Sequence, residues 1–356
     1  TVTVSGQPAG QTCSVSNGSG TLAGASVTNV TVSCVDNSYS VGGLVSGLVA
    51  GDVLVLQNNG GDDLVLGADG AFTFPTPVSF GDAYAVSVLT QPPAPSETCT
   101  VSGGGNNDGS GTMPAADVSS IAIICSVDRF AVGGSLSGLA SGASLVLQNN
   151  GSADLTLTAD GNFQFPDQAD ATAYTVTVSG QPAGQTCSVS NGSGTLAGAS
   201  VTNVTVSCVD NSYSVGGLVS GLVAGDILVL QNNGGDDLVL GADGAFTFPT
   251  PVSFGEAYAV SVLTQPPAPS ETCTVSGGGN NDGSGTMPAA DVSSIAIICS
   301  VDRFAVGGSL SGLASGASLV LQNNGSADLT LTADGNFQFP DQADATAYTV
   351  TVSGQP

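Results

Sequence analysis

Hydrophobic residues in this chain alternate with polar ones at a period of two, and clusters of Gly, Pro, Asn, Asp and Ser interrupt the alternation every ten residues or so. From Val41 to Val127 the pattern predicts strands at Val41–Leu48, Val53–Gln57, Leu64–Leu66, Ala71–Phe74, Tyr84–Thr90, Thr98–Ser102 and Ser120–Val127. The segments between them, NNGGDD, GADG, TPVSFGD, TQPPAPSE and GGGNNDGSG, carry turn chemistry. Phe72 and Phe74 fall on one face of their strand, and Tyr84, Val86 and Val88 on one face of the next, as side chains of a strand must. No stretch keeps a helical period. About seven short strands with turns at this spacing describe a small immunoglobulin-like β-sandwich.

The same pattern returns along the chain. SVGGLVSGL at Ser40 reappears as AVGGSLSGL at Ala131 and as SVGGLVSGL at Ser214, so Val41, Val132 and Val215 mark starts 91 and 83 residues apart. These are a long and a short module type. Residues 1–174 and 175–348 are the same sequence apart from Val53 against Ile227 and Asp82 against Glu256. The reading is therefore half a short-type sandwich at 1–39, a long type at 40–130, a short type at 131–213, a long type at 214–304 and half a short type at 305–356. Units of this length suit independent small domains rather than solenoid turns, and tandem units that touch only their neighbours build an extended body. Each module adds on the order of 40 Å if its strands run along the fibre. TVTVSGQP stands at both ends, which fits a window cut from a longer array; the competing reading is a strand-exchange polymer in which Thr1–Pro8 completes a neighbouring chain.

Composition narrows the chemistry. The chain has no His, no Trp and no Lys, and its cations are Arg129 and Arg303. That removes a Ser/His/Asp triad, a His-ligated zinc and a Schiff-base lysine, leaving carboxylates as the only acid–base groups near neutrality, in a module with little room for a cleft. The expectation is a protein that is not an enzyme and has no small-molecule substrate. A net charge of −26 argues against nucleic acid or an anionic membrane as partner. No apolar run reaches the ~18 residues of a membrane span, so membrane attachment would come only through regions outside this window.

The eight cysteines fall two to a module: Cys13 with Cys34, Cys99 with Cys125, Cys187 with Cys208, and Cys273 with Cys299. Even pairing at fixed places reads as one disulfide per domain in an oxidising compartment, against the alternatives of free thiols or zinc, which needs four ligands. In the short type, a hairpin folded about Gly20–Gly24 sets Cys13 opposite Cys34, and the period of two turns Cys34 inward with Val30 and Val32. Such a bridge stabilises a small core by roughly 3 kcal/mol.

The run from Leu64 to Phe74, with Asp69-Gly70-Ala71-Phe72-Thr73-Phe74, followed by Gly81-Asp82-Ala83-Tyr84-Ala85-Val86-Ser87-Val88, resembles the core of transthyretin-like and CnaB-like sandwiches. The whole unit also resembles tandem repeats of large bacterial surface proteins. The resemblance implies a structural or adhesive role outside the cell, at the cell surface. The chain departs from it in one respect, since without lysine it makes no Lys–Asn isopeptide bond, and the disulfide takes the place of that staple.

Linkers of equal length join each second cysteine to the next module and place Tyr39, Phe130, Tyr213 and Phe304 at one position. Each aromatic either touches the neighbouring module or plugs the end of its own sandwich. Asp62, Asp63, Asp69 and Asp108 are weak calcium candidates, because clustered oxygens suit calcium while Asp, Asn and Gly also make tight turns. No cofactor is expected beyond loosely held calcium bridging acidic rods. Asn17, Asn29 and Asn150 match the glycosylation sequon, in a chain rich enough in Asn, Ser and Thr to produce it by chance. The function these readings favour is an extracellular filament, fibre or sheath built by self-association of identical chains. The alternative is the repetitive stalk of a giant bacterial surface adhesin that presents a distal binding domain, and a loop-based binding module comes third.

Overall fold

In the computed structural model, which describes residues 1–267 and 269–356 and leaves out the side chain of Ala327, the described residues form strands and turns and no helix. They divide into two compact units, one of residues 1–181 with 187–207 and one of 182–186 with 208–356. The boundary between the units runs through the short module 131–213, not between two modules.

The first unit contains the long module 40–130. One of its sheets has the strand order Glu97–Ser102, Val118–Val127, Val41–Ser46, Gly70–Thr73. The other runs Ser110–Thr112, Ala83–Thr90, Leu54–Asn58, Asp62–Leu66. Neighbours are antiparallel except Val41–Ser46 and Val118–Val127, the first and last long strands, which pair in parallel with a register shift between Val118 and Ile121. Gly43 sits at that shift. A Cβ there would overlap the carbonyl oxygen of Ile121, so glycine is what lets the two backbones close. The inner faces of both sheets supply one core of Val41, Val45, Leu54, Leu56, Phe72, Phe74, Tyr84, Val86, Ile121 and Ile123 with the two cysteines. Phe72 and Phe74 meet edge to face at 5.9 Å. The chain is thus a tandem array of all-β sandwiches.

The two sheets of the long module hold eight strands, against the seven read from the pattern, and the short strands Val78–Ser79 and Arg129–Phe130 pair outside them. The extra strand, Ser110–Thr112, lies in the glycine-rich loop and is held by backbone pairing to Ala83–Ala85, while the loop beside it is anchored by Gly105 N–H donating to the Tyr84 hydroxyl at 2.7 Å. The short module has the same pair of four-stranded sheets, with Val132–Ser137 parallel to Val201–Asp210. Residues 1–36 form a single hairpin, Gln11–Ser16 with Thr31–Asp36. There Val32 is 59% exposed, whereas Val206, at the same place in the complete short module, is 1% exposed. The second unit repeats the long module at 214–304 with the equivalent core around Val215, Leu228, Phe246 and Ile297.

Candidate functional site

Each hairpin of the cysteine strands brings its sulfurs together across the ladder. Cys13 stands opposite Cys34, Cys99 opposite Cys125 and Cys273 opposite Cys299, each pair disulfide-bonded with Cα atoms 3.9 Å apart. Cys187 and Cys208 each belong to a disulfide as well. In the long modules both sulfurs lie in the core, so each bridge ties an edge strand to the strand that pairs with the first of its module. The bridge joins neighbours within one sheet rather than one sheet to the other.

Of the four calcium candidates, Asp69 and Asp108 lie in turns and Asp62 and Asp63 on the strand Asp62–Leu66, and each accepts hydrogen bonds within the protein. Asp69 accepts the Gly47 and Leu48 N–H groups at 3.0 and 2.9 Å, and Asp62 accepts Thr76 N–H at 3.2 Å. Asp63 accepts from the Gln57 amide at 2.6 Å, and Asp108 from the Ser110 N–H and hydroxyl at 3.0 and 2.6 Å, which hold its carboxyl below the ordinary range. Among the described residues no group of three or more His, Cys, Asp or Glu is placed to hold a metal ion. The sequon residues Asn17 and Asn150 are turn residues with φ of 57° and 54°, their amides donating to the Asn29 and Ala173 carbonyls.

The features that recur at every module boundary are the junctions. Between residues 1–39 and the long module, Asn37 N–H donates to Gly10 O at 2.8 Å and Phe80 N–H donates to Asn37 O at 2.8 Å. Strand Ser38–Tyr39 pairs with Val78–Ser79, and Tyr39 packs against the core of the long module that follows it. Tyr213 does the same in the second unit, so these tyrosines plug the sandwich they introduce. The ring of Phe80 lies over Gly10, which is buried with φ of +75°; a Cβ there would enter the ring.

The boundary from the long to the short module keeps that backbone frame and changes the side chains. Asp128 N–H donates to Ser96 O at 2.8 Å, and Asp170 N–H donates to Asp128 O at 2.8 Å. Arg129–Phe130 pairs with Gln168–Ala169, and the Arg129 guanidinium donates to Asp167 O at 2.6 Å. Phe130 is half-buried there, while Phe304, in the second unit, is exposed. Where Phe80 stood, the Asp170 carboxylate now accepts Ser96 N–H at 2.8 Å and its hydroxyl at 3.0 Å, and on its other oxygen Gly198 N–H at 2.8 Å. These donors hold the Asp170 carboxyl down to about 2, the backbone N–H groups of Gly198 and Ser96 foremost. The second unit repeats both junctions, with Gly184 under Phe254 and Ser270 donating to Asp344 at 2.8 and 3.0 Å.

Sequence reasoning singled out the linker aromatics and passed over Gly10, Phe80, Ser96 and Asp170, which look like ordinary turn residues. The junction joins consecutive sandwiches through two backbone hydrogen bonds and, at the matched positions, a side-chain contact.

No protein-family model matches the sequence, and no curated protein matches it. Among solved structures, the chain is similar to the Bacillus anthracis TIE protein at a TM-score of 0.37 and 11% identity, over 92% of this chain and 65% of that one. It therefore spans less than two thirds of that protein's length. It is also similar to two B repeat units of the collagen-binding protein of Staphylococcus aureus, at a TM-score of 0.22 and 14% identity, over 77% of this chain and 79% of that one. At these scores neither likeness carries an argument about residues or function, and the fold rests on the sheets described above.

Proposed function

We propose that this chain is a non-enzymatic structural protein whose tandem sandwiches form an extracellular filament, fibre or sheath by self-association with identical chains. The observation that carries the reading is the junction, which recurs at successive boundaries with the same hydrogen-bonded frame and leaves no flexible spacer. One disulfide per module suits an oxidising location outside the cell. Outward-facing Leu44, Val65 and Ile124 recur as Leu218, Val239 and Ile298, so any lateral contact made by one long module is available again 174 residues on.

The second reading is the stalk of a giant bacterial surface adhesin, and the net charge of −26 favours it because uncompensated charge opposes side-by-side packing. Calcium held loosely between acidic chains would offset that repulsion in the first reading; bundling that a chelator leaves unchanged removes calcium from it. Electron microscopy of the unreduced full chain separates the two. Ordered filaments with an axial repeat of one two-module unit support the filament, and single beaded threads without lateral order overturn it in favour of the stalk.

A further inference from the structure

Aligning the module types turns the junctions into a pair of matched positions. One position lies just before the first cysteine strand of the preceding module and holds Gly10, Ser96, Gly184 and Ser270 in turn. The other lies just before the tyrosine strand of the following module and holds Phe80, Asp170, Phe254 and Asp344. Glycine always meets phenylalanine and serine always meets aspartate, while the backbone frame, linker N–H to the preceding carbonyl and following N–H to the linker carbonyl, stays at 2.8 Å in all four. The pair changes together, and the frame does not change at all.

We infer that these pairs are two mutually exclusive keys that enforce the alternation of short and long modules: the end of a short module accepts only a long one, and the end of a long module only a short one. The mismatches show why. A long module after a long one would set Phe on Ser, where even a Cβ meets the ring and the Ser N–H and hydroxyl lose their acceptor. A short module after a short one would set Asp on Gly, removing the hydroxyl donor from a carboxylate that is only 7% exposed and leaving empty the space over the glycine that an aromatic ring fills. The loops support their own keys: Gly184 follows Pro182-Ala183 at a φ of +75°, whereas Ser96 ends the longer run Pro92-Pro93-Ala94-Pro95 and is not in the left-handed region. This device acts between consecutive modules of one chain and stands whether or not chains assemble into filaments.

The test is a mutant cycle in the full chain at the boundary around Asn211, where Asn211 N–H donates to Gly184 O and Phe254 N–H donates to Asn211 O, both at 2.8 Å. Three variants are compared with the wild type: Phe254→Asp, replacement of the Pro182–Gly184 loop by the sequence of Pro92–Ser96, and the two combined. The readout is amide hydrogen exchange at Asn211 and Phe254, with the Ile295 and Ile297 amides reporting that the long module remains folded. Each single change is expected to speed exchange at the junction about tenfold, and the combination to return it to within about threefold of wild type. Additive losses in the combined variant, or single changes that leave exchange unaltered, would overturn the inference.

Discussion

Glu97 offers a test of how burial and charge compete in the long module. Its side chain is 1% exposed, and both carboxylate oxygens share a single backbone donor, Val49 N–H, at 3.2 and 3.3 Å. Asp52 belongs to the same turn through its N–H to Val49 O at 3.1 Å, and its Oδ2 is buried without a partner. Burial, then the neighbouring carboxylates of Asp52 and Asp69, push the Glu97 carboxyl up from 4.5, against the lowering effect of Val49 N–H. The folded module therefore binds the Glu97 proton more tightly than the unfolded chain does. The stability this contributes is fully present below pH 4.5 and is lost as the pH rises through the raised folded value. Glu97→Gln removes the charge and gives the orphaned Asp52 oxygen an amide donor, a gain of about 1–3 kcal/mol at pH 7, or roughly 5 °C or more in the melting temperature of a module this size. At pH 4, where wild-type Glu97 already holds its proton, the gain should shrink to near zero. Scanning calorimetry of the full chain at both pH values measures this, with module 214–304, which keeps Glu271, as internal reference. No gain at pH 7, or an equal gain at both pH values, would refute the reasoning.

Other consequences are equally direct. Reducing the disulfides should cost each long module about 3.5 kcal/mol, given the 26-residue separation of Cys99 and Cys125, and urea unfolding with and without reductant measures it. On one strand, Ile123 is 0% and Ile124 56% exposed, so Ile123→Ala should cost about 2–5 kcal/mol and Ile124→Ala under about 0.5, compared by shifts in the unfolding midpoint. Gly43→Ala forces a methyl onto the Ile121 carbonyl and should cost about 3 kcal/mol, while Gly61→Ala, with open space around it, should be nearly silent in the same measurement. Asp170 is held down to about 2, so the stability it lends is present above its ordinary 3.8 and is lost only as the pH falls through about 2; the Ser96 amide should remain protected from exchange at pH 3.

Much of the sandwich was legible because a period of two leaves few choices. Once Tyr84, Val86 and Val88 share a face, they must meet Phe72 and Phe74 in a core, and the glycine-rich centre of the cysteine hairpin leaves the two sulfurs facing each other. Strand Ser110–Thr112 was not legible, because Ser-Gly-Thr has no hydrophobic alternation and is held by backbone pairing to a neighbouring strand. The Tyr39 side of the linker was ambiguous for a different reason: an aromatic at a boundary fits a pocket on either side, and only the pairing of Ser38–Tyr39 with Val78–Ser79 decides between them.

The junction residues failed the usual signals altogether, since Gly10, Ser96 and Asp170 are residues that turns select on their own account. A signal was nevertheless present inside the chain. Two module types in one sequence are an alignment, whereas between the two copies of the long type a change such as Val53 to Ile227 stands alone, as a surface methylene does. Gly to Ser and Phe to Asp occur together, 70 or more residues apart, and swap an apolar contact for a polar one. Two positions that exchange chemistry in step, each to suit the other, are what a contact looks like when it is read from sequence. The same reasoning reaches the Glu97 turn, where Asp52 and Glu97 of the long type become Ala143 and Gln185 in the short type, and Gln185 there donates its amide to Asp210 at 2.8 Å. The buried Glu97 carboxyl, which profits from a proton, is replaced there by an amide that needs none, so modules 40–130 and 131–213 should differ in how they respond to acid.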